Sequence, residues 1–249
     1  MGGLSVDRAQ IRAFVDALFR YASRGQTVAL RSFVEGETKP FRIEAASLDG
    51  GDLEPLVGAA VAQAQAAADC PQPVVFCPPI AGFVSQGETW RAREQDLNEA
   101  FALSVECDST PANARATLER VLGPATLVVA SGGEWANPET GELEPKLHLH
   151  WRLNEPASGD QLKTLKEARR LVTALVGGDP TNVPAVHPIR WAGSWHRKGK
   201  PRLCQLVEAQ ERLEIDLADA LGRLRDAAPT SGVNGGRISG QRGGVKAGQ

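Results

Sequence analysis

The sequence lacks several patterns that identify common classes of protein. It has a single tyrosine in 249 residues, and no run of 18 apolar residues that could span a membrane. Its first residues, MGGLSVDRAQ, lack the basic and then apolar segments of a secretory signal. We therefore expect a cytoplasmic protein without a membrane partner. No Walker phosphate loop and no Gly-x-Ser-x-Gly elbow occur, which argues against a P-loop NTPase and against that type of serine nucleophile.

Cysteine is also scarce, and its spacing is uninformative. None of the four cysteines belongs to a Cys-x-x-Cys pair, so neither a zinc site of the usual spacing nor a disulfide framework is expected. We expect four free thiols that pack as small hydrophobic side chains. They are Cys70, Cys77, Cys107 and Cys204.

Neither sign of charge dominates, because 28 Lys and Arg oppose 30 Asp and Glu and the net charge is −2. This balance excludes a uniformly basic nucleic-acid coat but not a local basic site. Residues 229–249 hold seven glycines, three basic residues and no acid, so the remaining body carries a net charge of −5. Such a tail cannot bury enough apolar surface to order itself. It is predicted to be either a disordered end or a linker to a further module.

Hydrophobic periodicity predicts helices and strands without a repeat and without a regular βαβ period, so the expected class is α+β. One domain over about 1–228 is predicted, with an N-terminal subdomain over about 1–100 and a core over about 101–228. The predicted helices are Val6–Arg24, Leu53–Ala68, Pro111–Leu122, Gly159–Val176 and Leu213–Asp226, with one or two helical turns over Glu94–Ala100. The predicted strands are Thr27–Glu35, Phe41–Ala45, Val74–Cys77, Phe101–Cys107, Ala125–Ala130, Lys146–Leu153, Ile189–Trp191 and Leu203–Val207.

Two acids, Glu106 and Asp108, end the apolar strand Phe101–Cys107. Residues two apart in a strand point to the same face, so the two carboxylates project together and repel each other unless a cation lies between them. Such oxygen pairs suit Mg²⁺ or Mn²⁺. The alternative is that Asp108 caps the following helix and Glu106 is merely exposed.

A second strand carries His148 and His150, again on one face. They could form a metal pair or contact phosphate, or they could be two exposed polar positions. Asp179 follows a Gly-Gly pair and offers a third carboxylate, with a plain turn residue as the alternative.

The segment Ile189–Arg202 concentrates positive charge in an otherwise acidic body, and two tryptophans, Trp191 and Trp195, interleave with it. Cations beside planar rings are typical of sites that bind nucleotides or nucleic-acid phosphates. The alternative is a solvated hairpin with a tryptophan pair in the core. The basic residues of the segment are Arg190, His196, Arg197, Lys198, Lys200 and Arg202.

In this order, these pieces resemble the catalytic core of the archaeo-eukaryotic primase superfamily, especially the primase-polymerases of plasmids and phages. That family has two acids one residue apart, a histidine on a strand, a third acid and, in its mobile-element branch, a segment similar to Arg-Leu-Pro-Gly-Thr-x-Asn-x-Lys. The matching stretches are Val105–Asp108, Lys146–Trp151, Asp179-Pro180 and Arg190–Lys198, with Ser131-Gly132 similar to the Ser-Gly that introduces the histidine strand.

The resemblance spans about residues 101–207, with some departures from the family pattern. Glu106 stands where aspartate is commoner, Lys146 stands where the family has serine or glycine, and residues 134–145 form an insertion. Trp191-Ala192 replaces Leu-Pro.

The resemblance implies an RRM-like catalytic sheet packed with an N-terminal α/β subdomain, and two-metal nucleotidyl transfer from NTP or dNTP on a single-stranded DNA template. Two Mg²⁺ or Mn²⁺ ions would lie on Glu106, Asp108 and Asp179. A helicase module or other replication proteins are implied as partners beyond the tail. The implied nucleotide-binding residues are Ser131, Lys146, His148, Arg190, His196 and Lys198, and the implied DNA contacts are Trp195, Arg197, Lys200 and Arg202.

Two other functions stay open at the level of sequence. The His-Leu-His stretch resembles the metal-binding motif of rolling-circle replication and relaxase endonucleases, but these enzymes need a tyrosine after the histidines, and Tyr21 lies far upstream. A catalytically inactive nucleic-acid-binding module is the other alternative, with Glu106 and Lys146 as its signs of lost catalysis.

Overall fold

The structure is a computed structural model that describes residues 3–48, 51–84 and 92–228. The predicted linker, residues 229–249, lies outside this described part. The helices are α1 (Arg8–Leu18), α2 (Glu54–Asp69), α3 (Pro111–Leu122), α4 (Gln161–Leu175) and α5 (Leu217–Ala227). The strands are β1 (Gln26–Val34), β2 (Arg42–Leu48), β3 (Val74–Phe76), β4 (Ala81–Val84), β5 (Leu97–Cys107), β6 (Leu127–Ala136), β7 (Leu143–Ser158), β8 (Trp195–His196), β9 (Arg202–Leu203) and β10 (Gln205–Ala209).

Eight of these strands form one antiparallel sheet in the order β10-β6-β7-β5-β4-β1-β2, with β3 also paired to β1. Strands β8 and β9 form a separate hairpin. The large sheet continues across the predicted boundary near residue 100, because β5 pairs with β4 on one side and with β7 on the other. The α+β class is confirmed, and the division into two subdomains stays a prediction.

The two faces of the sheet are covered by different helices. One hydrophobic cluster packs α1 and α2 against the sheet, and the other contains residues of α3, α4 and α5. Along β7, the side chains of Leu147, Leu149 and Trp151 belong to the α3–α5 cluster. Side chains alternate in a strand, so His148 and His150 face the opposite side, where the ring of His150 meets Phe14 of α1 at 5.5 Å. His150 therefore lies beneath α1.

The sequence of α1 explains why this segment forms a helix and packs against the sheet. The Asp7 carboxylate caps its first turn by accepting a hydrogen bond from the Gln10 backbone N–H at 3.1 Å. Its buried face is apolar, and Phe14 stacks on the fully buried Trp191 with 5.1 Å between ring centroids. The Trp191 indole N–H donates to the carbonyl of Pro78 at 3.1 Å. Trp191 is therefore a core residue, in agreement with the alternative that placed the tryptophans in the core.

Two predicted elements differ from the structure, and one strand was missed. In Glu94–Ala100, only Glu94–Asp96 form a 3₁₀ turn, and the rest is strand because Glu99 and Ala100 pair with β4. Strand β4 itself was not predicted. The predicted strand Ile189–Trp191 is irregular, because pairing in this region begins only at β8. These errors share one cause, since strand pairing depends on a distant partner.

The expectation of four free cysteines is confirmed. Among the described residues, no helix is long and apolar enough to cross a membrane.

Candidate active site

The acidic pair lies at the end of β5, next to the histidine strand β7. Glu106 is directly opposite His148 in the register, and 3.7 Å separates Glu106 Oε1 from His148 Nε2. Glu106 Oε1 is also 3.5 Å from His187 Nε2. Asp108 follows the strand, with an oxygen 3.3 Å from Lys146 Nζ. The predicted acids and the family histidine are thus brought together by adjacent strands.

The charge state of this pair follows from burial and from neighbouring charges. Burial by itself would raise the pKa of Glu106, but His148, His187 and Arg190 outweigh it and lower this pKa to about 2. Burial lowers the pKa of His148 to about 4. At neutral pH, the pair therefore consists of a carboxylate and an uncharged imidazole.

Glu106 and Asp108 open onto a cavity of ≈ 440 Å³. Asp179, His187 and Arg190 also line the cavity, and its other wall is the turn between β1 and β2. Because all three predicted carboxylates border this one space, the candidate site has an acidic wall.

The donor atoms suit a hard divalent cation. Mg²⁺ is usually held by one or two protein carboxylates and completes its shell with water and substrate phosphates. Glu106 and Asp108 fit that requirement. Asp179 also borders the cavity, and its Oδ1 already accepts the Thr181 backbone N–H at 2.8 Å. In the described part of the chain, no three Asp, Glu, His or Cys side chains are grouped closely enough to hold an ion by themselves.

Basic side chains surround His196 on the β8–β9 hairpin. His196 is 7% exposed, and its burial is the largest cause that lowers its pKa to about 4, followed by the nearby cations. Gly132 has a φ of +81°, and a Cβ there would lie 2.4 Å from the Cβ of His196. Ser131 and Gly132 lie in β6, where its pairing with β7 is irregular, and this part of the strand contacts the hairpin through a position that only glycine fills. The surrounding cations are Arg190, Arg202, Lys198 and Lys146.

Several buried polar atoms of the predicted nucleotide-binding residues have no hydrogen-bond partner within the described structure. Buried polar groups are normally paired, so an unpaired group points to a missing ligand, ion or water. These donors and acceptors suit a phosphate-bearing molecule. The atoms are Ser131 Oγ, both ring nitrogens of His148, Arg190 Nε and His196 Nδ1.

Of the side chains predicted to contact DNA, some are exposed and others already form bonds within the protein. Lys200, like Lys198, is exposed. Arg202 forms an ion pair with Glu134, and the Trp195 indole N–H donates to the Ser5 carbonyl at 3.0 Å.

Arg197 requires a correction, because its guanidinium is used within the fold. Arg197 Nη1 donates to the carbonyls of Ala67, Cys70 and Gln72 at 2.8, 2.6 and 2.8 Å. These carbonyls lie at the end of α2 and just after it, where helices lack internal donors. Arg197 therefore anchors the basic hairpin to α2, and we do not retain it as a DNA contact.

Replacing Arg197 by methionine is expected to destabilise the fold by about 2 kcal/mol, because hydrogen bonds from a charged donor are lost. Denaturant unfolding measures this loss. The neighbouring Lys198→Met is the matched control, and we expect it to cost less than about 0.5 kcal/mol because Lys198 is exposed. Equal stability of the two variants would contradict the anchoring role.

His150 belongs to the core rather than to the cavity. It is fully buried, and its Nδ1 is 2.9 Å from Ser104 Oγ. The Tyr21 hydroxyl donates to Glu214 at 2.9 Å. Neither an open histidine pair nor a tyrosine facing it is present in the described residues, so the structure does not support the nickase alternative.

Acid is expected to destabilise the protein through His148. Its pKa is lowered from 6.5 to about 4 in the folded state, so between these values the unfolded chain binds a proton that the folded chain does not. The stability contribution is present above pH 6.5 and is lost as pH falls towards 4, by about 1.4 kcal/mol per pH unit. Denaturant unfolding from pH 7 to pH 5 measures this slope. Burial also lowers the pKa of His150 and of His196, so His148→Gln should reduce the slope by the share of one histidine, and an unchanged slope would contradict the assignment.

Two cavity residues, Asn182 and His187, were not predicted. Asn182 Nδ2 donates to Glu106 Oε2 at 3.0 Å. His187 was the one histidine outside every recognised motif, although it lies three residues before Arg190. That nearness to the basic segment was the available signal, whereas nothing in the sequence singled out Asn182.

The fold is similar to the folds of solved primase domains, and this likeness confirms the fold implied by the resemblance. The chain is similar to the archaeo-eukaryotic primase domain of the cyanophage S-2L primase-polymerase, with a TM-score of 0.58 and 18% identity over 89% of this chain and 100% of that one. It is also similar to the catalytic domain of primase RepB′ in complex with initiator DNA, with a TM-score of 0.54 and 12% identity over 88% of this chain and 94% of that one. No protein-family model and no curated protein matches the sequence.

Proposed function

We propose that this chain is a primase-polymerase catalytic domain that transfers nucleotides from NTP or dNTP to a growing strand on a single-stranded DNA template. One observation carries the proposal. Glu106 and Asp108 line one cavity together with Arg190, whose Nε has no hydrogen-bond partner in the described structure, and the buried, unpartnered ring of His148 lies 3.7 Å from Glu106. An acidic wall next to buried donors suits a metal-assisted reaction on a triphosphate.

Divalent ions, Mg²⁺ or Mn²⁺, would be held by Glu106 and Asp108, with Asp179 as the further carboxylate of the cavity. When bound, they would supply Lewis-acid activation of the attacking hydroxyl and charge neutralisation at the leaving pyrophosphate. Lys146 lies 3.3 Å from Asp108 and limits repulsion between the acids before an ion binds.

The phosphates of the incoming nucleotide would be bound by the groups around the β8–β9 hairpin. The buried imidazole of His148 is uncharged, so it can donate one hydrogen bond without repelling a cation nearby. The full positive charges come from the side chains that surround His196, and such a cluster of cations favours a polyanion. This proposed set consists of Ser131, Lys146, His148, Arg190, His196 and Lys198.

The template is proposed to pass the exposed side of the same hairpin. The catalytic domain of primase RepB′ has been solved in complex with initiator DNA, and DNA binding by this chain is proposed by analogy. Lys200 and Arg202 would contact phosphates, and the partly exposed ring of Trp195 would stack on a base. Replication proteins such as a helicase are proposed partners beyond residue 228.

The test is incorporation of labelled nucleotides on a single-stranded circular template with Mn²⁺ or Mg²⁺, with and without a primer. Synthesis that requires the ion supports the proposal. Nicking of a supercoiled plasmid without synthesis would instead support the endonuclease. Binding of single strands without either reaction would support an inactive binding module.

A further inference from the structure

A buried arginine on α4 holds the segment that follows Asp179. Arg169 is 3% exposed, and its Nε donates to the carbonyl of Val183 at 2.8 Å. Its Nη2 donates to the carbonyl of Asn182 at 2.7 Å. A buried guanidinium whose hydrogen bonds are satisfied by two successive carbonyls fixes both peptide groups, because displacing either leaves a buried donor unpaired.

Asn182 connects the segment that Arg169 holds to the acidic pair. Its side-chain Nδ2 donates to Glu106 Oε2 at 3.0 Å, whereas its Oδ1 lies 3.4 Å from the Thr181 hydroxyl. Asn182 is 9% exposed, so water does not readily replace its amide. Glu106 Oε2 therefore has a protein partner, and Oε1 is the oxygen that faces His148 and His187.

We propose that Asn182, held in place by Arg169, is a positioning residue that keeps Glu106 Oε2 hydrogen-bonded and so favours one-oxygen binding of Mg²⁺ or Mn²⁺ over two-oxygen binding of Ca²⁺. This inference rests on the proposed function, which requires an ion at Glu106. Mg²⁺ demands near-octahedral geometry, whereas Ca²⁺ takes more oxygens and readily accepts both oxygens of one carboxylate. Two-oxygen binding at Glu106 would have to compete with the hydrogen bond from Asn182 for the lone pairs of Oε2.

The experiment is calorimetric titration of the nucleotide-free chain with MnCl₂ and, separately, with CaCl₂. In Asn182→Ala, we expect Mn²⁺ affinity to fall about 10-fold, as is typical when a group that orients a metal ligand is removed. Ca²⁺ affinity should not fall in parallel, because both oxygens of Glu106 become available. The ratio of Mn²⁺ to Ca²⁺ affinity is therefore expected to fall about 10-fold.

Asn154→Ala is the matched control, because Asn154 is an exposed asparagine that does not line the cavity. Arg169→Lys is a second test variant. Lysine keeps the buried charge but lacks the planar guanidinium that donates to two carbonyls. The ratio of Mn²⁺ to Ca²⁺ affinity should therefore fall, as in Asn182→Ala. Thermal unfolding of each variant shows whether the fold is retained, and a change of ion preference is not expected from destabilisation alone.

The outcomes separate this inference from the proposed function. An unchanged affinity ratio in Asn182→Ala, in a chain that incorporates nucleotides, overturns the positioning role and leaves the proposed function standing. A wild-type chain that binds no Mn²⁺ and incorporates no nucleotide overturns both. A lower ratio in Asn182→Ala and Arg169→Lys, with Asn154→Ala like wild type, supports the inference.

Discussion

Replacing Asp108 by asparagine is expected to reduce nucleotide incorporation about 1,000-fold, because an ion held by the acidic pair loses one of its two full charges at the site. Metal charge stabilisation is worth several kcal/mol in such reactions, and each 1.36 kcal/mol is tenfold in rate. The side chain of Asp108 is 43% exposed, and its one ion pair is with Lys146. The fold should therefore remain intact, since exposed pairs contribute little to stability.

Single-turnover incorporation on a primed template measures the effect, and thermal unfolding checks the fold. Asp160→Asn is the matched control, because Asp160 is an almost fully exposed aspartate whose ion pair with Lys163 lies at the start of α4. Incorporation by Asp160→Asn should equal that of wild type. If Asp108→Asn retained wild-type rates, the acidic pair could not be the catalytic centre.

The largest expected effect on stability is at Trp191. Replacing it by alanine should destabilise the fold by about 3–5 kcal/mol, as is typical for the loss of a large buried aromatic side chain. Its ring lies within 5.1–5.6 Å of Phe14, Phe19 and Phe76, so it joins α1 to β3. A loss of this size is a large fraction of the stability of an ordinary domain.

Trp195→Ala provides the comparison, because Trp195 is partly exposed and its N–H makes one hydrogen bond, to Ser5. We expect a loss of about 1 kcal/mol for this variant. Guanidinium chloride unfolding measures both losses. A stable Trp191→Ala that failed to bind single-stranded DNA would show that Trp191 stacks on a base rather than in the core.

Much of the chemistry could be predicted from local sequence. Alternation within a strand was enough to place Glu106 beside Asp108 and His148 on the same face as His150, because side-chain direction in a strand has a period of two. Clustered charge likewise identified the basic segment 189–202. These predictions depend on neighbouring residues alone, and the structure agrees with the geometry that they imply.

The roles of the two histidines on β7 could not be separated in this way. His148 borders the acidic pair and His150 packs under α1, although the two residues are only one position apart along their face of the strand. The role of Arg197 could not be predicted from local sequence either, because one of its acceptors, the Ala67 carbonyl, belongs to α2, about 130 residues earlier in the chain. Whether a polar side chain meets a ligand or a carbonyl depends on which distant element covers it.

The sequence by itself therefore determined the fold class, the acidic pair and the basic hairpin, since these follow from periodicity, charge and short-range spacing. The tertiary structure alone decided that Asn182 and His187 contact Glu106, that Trp191 is a core residue and that β4 completes the sheet. The physical reason is that these features arise from contacts between segments far apart in the chain. Burial and hydrogen-bond pairing there are set by the packing of the whole sheet and its helices.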